Sequence, residues 1–258
     1  MKAGQKLWTR DELIVAVNLY CKLPFGKLHA SNPNIIDLAK LLGRTANAVA
    51  YKLVNFASLD PSLRARGIKG AANVSKLDKE VWKEFYRNWD KLPFESEVLK
   101  AKWEGRSIDQ SIENQSEFSE PLLERLGLTR EQLVKARVNQ HFFRKMILAS
   151  YNNTCCITGL NIPELLVASH IIPWAKDENN RMNPRNGLAL NPLHDKAFEL
   201  GFIAITADYR VAVSPMLKKK DPLDNLLWKY QGMAIKMPTR FLPDPSFLAL
   251  HYEERFRR

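Results

Sequence analysis

A series of three polar residues constrains this chain most. His170 ends the apolar run Leu-Val-Ala-Ser-His, Asn186 stands 16 residues later and precedes a glycine, and His194 follows eight residues after that. An apolar run, an Asn-Gly pair and a helix opening after Asn-Pro predict a strand, a turn and a helix in that order. We therefore expect the three side chains to converge on one small site.

Two histidines at one site suit the hydrolysis of a phosphodiester bond. This reaction needs an activated water, stabilisation of the charge on the transition state, and help for the leaving 3′ oxygen. One neutral imidazole and one divalent cation can supply all three. Histidine suits the role of base because its unperturbed pKa of about 6.5 leaves much of it neutral at working pH.

Several ordered motifs over residues 138–258 resemble the HNH endonuclease family, which has the ββα-metal nuclease fold. Residues 168–174 read Ala-Ser-His-Ile-Ile-Pro-Trp and are similar to the motif Ala-Ser-His-Ile-x-Pro-Trp of one branch of that family. Residues 142–159, which end in Cys-Cys-Ile-Thr-Gly, resemble the segment that precedes the motif in the same branch.

The resemblance implies a role for each residue of the series. His170 would be the general base at the end of the first strand. Asn186 would either orient the base and shape the loop between the strands, or ligate the metal. His194, at the start of the helix, would bind the metal.

The chain departs from the family at Ser169, because many members carry Asp or His at this position as a metal ligand. Asn186, Asp195, Asn191 or a phosphate oxygen would then complete the metal shell. The zinc-binding cysteine pairs frequent in the family are absent here, and the chain has only three cysteines. We therefore expect one Mg²⁺ or Mn²⁺ per site, held by oxygen ligands and water, and no structural zinc.

The charge of the chain favours an anionic partner, and we expect that partner to be DNA. The formal net charge is +11 and the pI is near 9.6. Residues 1–90 carry 15 Lys and Arg against 8 Asp and Glu, residues 91–135 carry 7 against 9, and residues 136–258 carry 17 against 11. Two basic blocks flanking an acidic connector are typical of two nucleic-acid-facing modules.

We therefore predict an α+β protein with three regions. Residues 1–95 form a helical, helix-turn-helix-like DNA-recognition domain, residues 96–135 an acidic linker region, and residues 136–258 the HNH nuclease domain. Within the linker region, the segment 107–120 is rich in Ser, Gln, Asn and Glu. The segment 62–72 reads as a basic loop, where phosphate contact and plain solvation are both open.

Residues 38–49 resemble helix-turn-helix units of the Myb/SANT-like kind. A first helix is expected to begin at an N-cap on Thr9 and to end before Pro24, a second over 35–42 stops at a glycine, and Thr45 caps a third over 46–56. The residues expected on or near the face offered to DNA are Arg44, Thr45, Asn47, Tyr51 and Lys52. In the nuclease domain the candidate phosphate contacts are Arg144, Arg181 and Lys196, for each of which a solvated surface position is equally open.

The remaining patterns predict ordinary structure. Helices are expected over 77–89 and 138–151, and short strands over 165–168, 201–205 and 211–213. Cys155 and Cys156 are expected to pack in the interior. His29, His141 and His251 have no partner at an informative spacing, and no role is predicted for them.

The function expected from these observations is that of a metal-dependent DNA endonuclease. The resemblance implies restriction or another anti-phage defence role, and the two-domain layout raises the hypothesis that cleavage depends on DNA modification. One alternative is a DNA-binding regulator whose HNH-like domain is inactive, and another is a nuclease for RNA or structured nucleic acid. The absence of a signal-peptide pattern and of long apolar runs favours a cytoplasmic protein without a membrane span. The oligomeric state stays open, with a homodimer as one arrangement.

Overall fold

The computed structural model describes residues 6–68, 74–113 and 129–258. The chain divides into two compact units, Met1–Phe142 and Phe143–Arg258. The described helices of the first unit are α1 (Arg10–Lys22), α2 (Pro33–Leu42), α3 (Ala46–Leu59), α4 (Pro61–Ala65), α5 (Lys76–Arg87), α6 (Leu92–Trp103) and α7 (Ile108–Glu113). Helix α8 (Arg130–Ser150) contains the division between the units.

Helix α1 is the centre of the first unit, and α2, α3, α5 and α6 all pack against it. Most of its apolar residues are buried, with Leu13, Ile14, Val17 and Tyr20 inaccessible to solvent. Thr9 caps the helix by accepting a hydrogen bond from the Glu12 amide, as its place before an apolar run predicts. A helix that is apolar all round needs neighbours on all sides, which the surrounding helices supply.

Two aromatic residues of the segment 77–89, Trp82 and Phe85, are core residues, whereas Trp89 is half-buried. Trp82 stacks on Phe56 at 6.0 Å and meets the edge of Tyr20 at 5.5 Å. Phe85 is fully buried. These contacts join α1, α3 and α5 into one apolar centre, so the rings of Trp82 and Phe85 are not available for stacking on bases.

The second unit contains two small antiparallel sheets and helices. Strands β1 (Val167–His170) and β2 (Gly187–Leu190) form a hairpin, and helix α9 (Pro192–Glu199) follows β2 directly. Strands β3 (Ile203–Ile205) and β4 (Val211–Val213) form a second hairpin. Helices α10 (Leu223–Leu226) and α11 (Pro245–Glu254) follow. A helical first unit and a second unit of mixed elements confirm the α+β class.

The C-terminal segment caps the end of α9. Carbonyl groups at and just beyond the end of a helix lack partners inside it, which is the general condition of a helix C-terminus. His251 is hydrogen-bonded to the carbonyl of Phe198, Arg255 donates to that of Glu199, and Arg257 donates to those of Leu200 and Gly201. Basic side chains at this end also interact favourably with the negative end of the helix dipole.

Element boundaries differ from the predictions where the sequence pattern is weak. Helix α8 begins at Arg130, eight residues before the predicted start at Val138, and β1 lies two residues beyond the predicted 165–168. Residues 96–113, predicted as linker, are largely helical in α6 and α7. The rest of the 107–120 segment and the end of the basic loop 62–72 lie outside the described residues.

Candidate functional site

His170 is the last residue of β1 and pairs across the hairpin with Gly187. The Phe143 ring stacks on the imidazole with a centroid distance of 4.0 Å and an interplanar angle of 8°, and the Trp174 ring meets it edge-on at 5.5 Å. Two aromatic walls and the strand backbone therefore fix the plane of the imidazole.

The hydrogen bond of His170 defines its tautomer. Its Nε2 atom lies 2.9 Å from the carbonyl oxygen of Arg181. Because a carbonyl oxygen can only accept, Nε2 carries the proton and Nδ1 of the neutral ring carries the lone pair. Nδ1 has no hydrogen-bond partner in the part of the chain that the structure describes. Burial lowers the pKa of His170 to about 4, against the opposing effect of the Arg181 carbonyl, so the ring is neutral at neutral pH.

Asn186 ties together the loop between the strands. Its side chain is fully buried. Oδ1 accepts from the Ile172 amide at 2.8 Å, and Nδ2 donates to the carbonyls of Ile172 at 3.1 Å and Asn180 at 3.0 Å. Of the two roles left open for Asn186, these contacts fit the shaping of the loop. They do not fit metal ligation, because the amide is enclosed and each of its polar atoms is bonded to backbone.

Gly187 allows helix α8 to lie against the hairpin. A Cβ atom at this position would overlap the side chain of Ile147 and lie 3.0 Å from Cζ of Phe143. Since Phe143 stacks on His170, the absence of a side chain at Gly187 contributes to the packing around the imidazole.

His194 lies in the first turn of α9, where Asn191 is the N-cap. Oδ1 of Asn191 accepts from the backbone amide of His194 at 2.9 Å and lies 3.0 Å from its Nδ1. The contact with the backbone amide identifies this atom of Asn191 as the carboxamide oxygen, which can only accept. Nδ1 of His194 therefore carries the proton and Nε2 carries the lone pair.

Nε2 of His194 is buried and has no hydrogen-bond partner among the residues that the structure describes. The residue is 3% exposed, and the Tyr230 ring meets the imidazole edge-on at 5.3 Å. Burial and the charge of Lys229 lower the pKa of His194, while the nearby Leu226 carbonyl opposes them without reaching hydrogen-bond geometry. A buried lone pair on a ring whose other nitrogen is fixed by a carboxamide is the arrangement of a metal-binding histidine.

Asp195 lies next to His194 on α9, and the Ser169 hydroxyl is close enough to act on its carboxyl group without reaching hydrogen-bond geometry. Ser169 is 5% exposed and precedes His170 on β1, against which α9 packs. Burial raises the pKa of the Asp195 carboxyl group, and the Ser169 hydroxyl opposes that effect. The helix therefore brings a carboxylate near Ser169, the residue before His170, whereas the strand itself supplies only a hydroxyl there.

Two of these residues carry donor groups that a divalent cation can use, namely the unpartnered imidazole nitrogen of His194 and the carboxylate of Asp195, the next residue on α9. Within residues 6–68, 74–113 and 129–258, no group of three or more His, Cys, Asp or Glu side chains is arranged to hold a metal ion. A cation at this site would therefore need water or substrate oxygens to complete its coordination.

The three cations predicted as phosphate contacts in this unit all have internal partners. Arg144 donates to the carbonyls of Pro163 and Leu166. Arg181 donates from Nε to the carbonyl of Trp174 at 2.7 Å and pairs with Glu178 at 3.0 Å. Lys196 pairs with Glu199 at 2.7 Å on the exposed face of α9. Arg144 and Arg181 thus brace the backbone around the hairpin.

The predicted DNA-facing residues of the first unit separate into two groups. Arg44 pairs with Glu12 at 2.7 Å, with side chains 6% and 8% exposed, and its guanidinium lies 4.0 Å from the Trp8 ring centroid. Lys52 pairs with the buried Asp78 at 2.9 Å. Both cations therefore face inward, contrary to the expectation from the helix-turn-helix pattern.

The other three predicted residues of this unit are at the surface. Thr45 is exposed and caps α3, Asn47 is exposed in its first turn, and Tyr51 is 51% exposed one turn later. These three residues form the outward face of α3 near its N-terminus.

Several site features escaped prediction. The Arg181 carbonyl and the Phe143 ring contact His170, but neither a backbone oxygen nor a lone Phe in a helix has a sequence signature. Asn191 was readable as an N-cap because it directly precedes Pro192. Its second role, bonding the His194 ring, follows from the spacing of three residues on a helix start.

Comparison with protein families places a known domain on these elements. Residues 155–206 match the family model described as HNH endonuclease. The match covers β1, β2, α9 and β3, and with them all three residues of the polar series. A search of curated proteins found no matching relative. No helix in the described residues is long and apolar enough to cross a membrane.

Proposed function

We propose that this protein is a metal-dependent DNA endonuclease with His170 as general base. The premise is the match of residues 155–206 to the HNH endonuclease family model. The observation that carries the proposal is the hydrogen bond from Nε2 of His170 to the Arg181 carbonyl at 2.9 Å. It leaves Nδ1 as the basic atom, on a ring held in place by Phe143 and Trp174.

In this mechanism Nδ1 of His170 takes a proton from the attacking water as the new P–O bond forms. The imidazolium that results is stabilised by the Arg181 carbonyl, because its partial negative charge lies at the protonated Nε2. Asn186 keeps that carbonyl in place because it ties together the loop that contains Arg181. Its side chain binds the backbone of Ile172 and Asn180, which precede Arg181, and its own backbone follows Arg181 in the same loop.

The residues that would hold the cation are His194, through Nε2, and Asp195, through its carboxylate. A divalent cation bound there supplies polarisation of the scissile phosphate and neutralisation of the leaving 3′ oxygen. The Ser169 hydroxyl favours the charged form of the Asp195 carboxylate, against the effect of burial. Mg²⁺ and Mn²⁺ suit a site that relies on oxygen ligands for the rest of its shell.

The substrate proposed is duplex DNA, and the first unit is proposed to contact it through the outward face of α3. The family match supports a nucleic-acid substrate, and the net charge of +11 supports a polyanion. We assign this contact to Thr45, Asn47 and Tyr51, since Arg44 and Lys52 are engaged in internal ion pairs.

Plasmid cleavage tests the proposal. The wild-type protein with Mg²⁺ or Mn²⁺ is expected to nick or linearise plasmid DNA, and His170→Ala is expected to lose about 100-fold or more in rate while retaining DNA binding. His29→Ala, at an exposed histidine, is the matched control and should cleave like the wild type. Equal cleavage by His170→Ala and His29→Ala would refute the assignment of the base.

A DNA-binding protein without nuclease activity is a second candidate. It is favoured by Ser169 and by the lack of a cluster of three metal-ligating side chains in the described residues. Retained DNA binding with no cleavage of duplex, single-stranded or branched DNA, or of RNA, under either metal would favour this candidate. Cleavage of RNA or of branched substrates alone would instead redefine the substrate.

A role in restriction or anti-phage defence is the biological setting we propose. Sequencing the products formed from methylated, hydroxymethylated and unmodified DNA tests it directly. Preference for one modification state or for one sequence is the expected result, and equal fragmentation of all three DNAs at random positions would argue against it.

A further inference from the structure

Residues 214–231, here called the β4 excursion, form a segment that leaves strand β4 and returns to it. At the start, the amide of Ser214 donates to the carbonyl of Phe202 at 2.9 Å. At the end, the side chain of Gln231 accepts from the Val213 amide at 2.6 Å, and the amide of Gly232 donates to the Val211 carbonyl at 2.8 Å. Both ends are thus anchored, and the segment has a defined position on the second unit.

The β4 excursion reaches His194. The Tyr230 ring meets the His194 imidazole edge-on at 5.3 Å, and Nζ of Lys229 lies 4.9 Å from the centroid of the Tyr230 ring. Lys229 is therefore separated from the His194 imidazole by one aromatic ring. The excursion lies beyond residues 155–206, so the family match does not cover it.

The excursion also carries four exposed lysines, namely Lys218, Lys219, Lys220 and Lys229. None of them forms an ion pair with any residue in the described ranges. Two aspartates, Asp221 and Asp224, lie in the same stretch, which leaves residues 218–229 with a formal charge of +2. Asp221 accepts a hydrogen bond from Asn225 at 3.0 Å.

Five other cations of this unit are engaged in ion pairs. The paired residues are Lys176 with Glu254, Arg181 with Glu178, Arg185 with Asp244, Lys196 with Glu199 and Arg210 with Asp208. A paired cation must give up its partner before it can bind a phosphate, whereas an exposed and unpaired lysine gains counterion release at once. The excursion therefore concentrates unpaired positive charge in a segment that Tyr230 joins to His194 of α9.

We propose that the β4 excursion is the backbone-binding surface of the nuclease unit, on which Lys229, Lys218, Lys219 and Lys220 contact successive phosphates of the nucleic acid next to His194. This inference rests on the proposed nuclease function. Lysine binds phosphate as a point charge and reads no base edges, so the surface contributes affinity and placement of the strand without sequence preference.

Binding measured in a cleavage-deficient background tests the inference apart from catalysis. In full-length His170→Ala protein, the affinity for a fluorescent DNA duplex is measured across a salt series for Lys220→Gln/Lys229→Gln. The control, Lys145→Gln/Lys236→Gln, removes the same charge from exposed lysines of the same unit. Thermal unfolding of each variant checks that the fold is retained.

The excursion pair is expected to weaken binding at least about fivefold near 0.1 M salt and to reduce the slope of log affinity against log salt by about 2, because each lost phosphate contact lowers the slope by about 1. The control pair should change the slope by less than half as much. Equal effects of the two pairs, or no effect of either, would overturn the inference. Because no cleavage is needed, those results would leave the assignment of His170 untouched.

Discussion

The Nε2 atom of His170 lies 2.9 Å from the carbonyl oxygen of Arg181, which belongs to the loop that joins β1 to β2. The contact links the proposed base to the conformation of a loop and not to another side chain. Whatever displaces the loop backbone should therefore impair the chemistry even when His170 itself is unchanged.

Replacing Asn186 tests that dependence. Asn186→Ala removes three hydrogen bonds and takes from the buried Ile172 the partners of its amide and its carbonyl group. We expect a loss of about 2–4 kcal/mol in the free energy of unfolding, measured in urea. Cleavage measured well below the unfolding transition should also fall, because the Arg181 carbonyl loses its support. Wild-type cleavage by a folded Asn186→Ala protein would contradict the prediction.

Replacing Gly187 tests the close approach of α8 to the hairpin. In Gly187→Ala the added methyl group overlaps Ile147, and overpacking of this kind costs about 1–3 kcal/mol. Adding Ile147→Ala to the variant should recover part of that cost, so the two changes should be non-additive in a double-mutant cycle. Strict additivity would show that the two residues do not meet.

Replacing Asp195 tests the proposed metal site without reference to activity. Asp195→Asn and His194→Ala should each weaken Mn²⁺ binding at least about tenfold, as measured by electron paramagnetic resonance in the absence of DNA. Glu199→Gln is the control, since its carboxylate is on the same helix but pairs with Lys196 at the surface. Unchanged Mn²⁺ affinity in Asp195→Asn would exclude the carboxylate from the shell.

His251 predicts a pH dependence of stability. It stacks on Phe198 at 3.7 Å, its Nδ1 is buried, and burial lowers its pKa to about 4. The unfolded chain takes up a proton near pH 6.5 and the folded chain only near pH 4, so stability is full above pH 6.5 and is lost as the pH falls towards 4. His170, with a pKa also lowered to about 4, acts in the same direction.

The slope of the unfolding free energy against pH between 4.5 and 6.5 measures this effect. Each of the two histidines contributes up to about 1.4 kcal/mol per pH unit. His251→Gln should reduce this slope by the contribution of one histidine. The glutamine keeps a side-chain amide that can donate to the Phe198 carbonyl. An unaltered slope in this variant would show that His251 titrates alike in the folded and unfolded chains.

Arg44 and Tyr51 should respond differently to replacement. Arg44→Ala leaves Glu12 largely buried without its closest cation, so we expect a loss of stability of about 3 kcal/mol. Tyr51→Ala, at a half-exposed position, should change stability by less than about 1 kcal/mol and weaken DNA binding. Weaker DNA binding by a fully folded Arg44→Ala protein, with Tyr51→Ala unaffected, would reverse this assignment.

The sequence predicted those parts of the fold whose signals are local. Thr9 and Thr45 cap helices because a hydroxyl before an apolar periodic run has few other uses. His170, Asn186 and His194 lie at the end of a strand, before a strand and at a helix start, as their flanking residues indicate. Such signals depend on neighbours within a few residues.

The parts that escaped prediction depend on partners far along the chain. The carboxylate that pairs with Arg44 is 32 residues away, and the one that pairs with Lys52 is 26 residues away. A basic residue on a helix reads alike whether it faces solvent or an ion-pair partner, so both were expected to face DNA. The sequence leaves the role of Asn186 open between loop shaping and metal ligation for the same reason. Only the folded loop reveals which groups its side-chain amide contacts.

Asn191 carries a lesson for transplanting this unit. Its single Oδ1 atom both starts helix α9 and holds the proton of His194 on Nδ1. One atom thus decides both where the helix begins and which nitrogen of the imidazole carries the lone pair. A designer who grafts the hairpin and helix onto another scaffold would have to transfer position 191 along with the histidines, since a different cap could preserve the helix and yet present the wrong nitrogen.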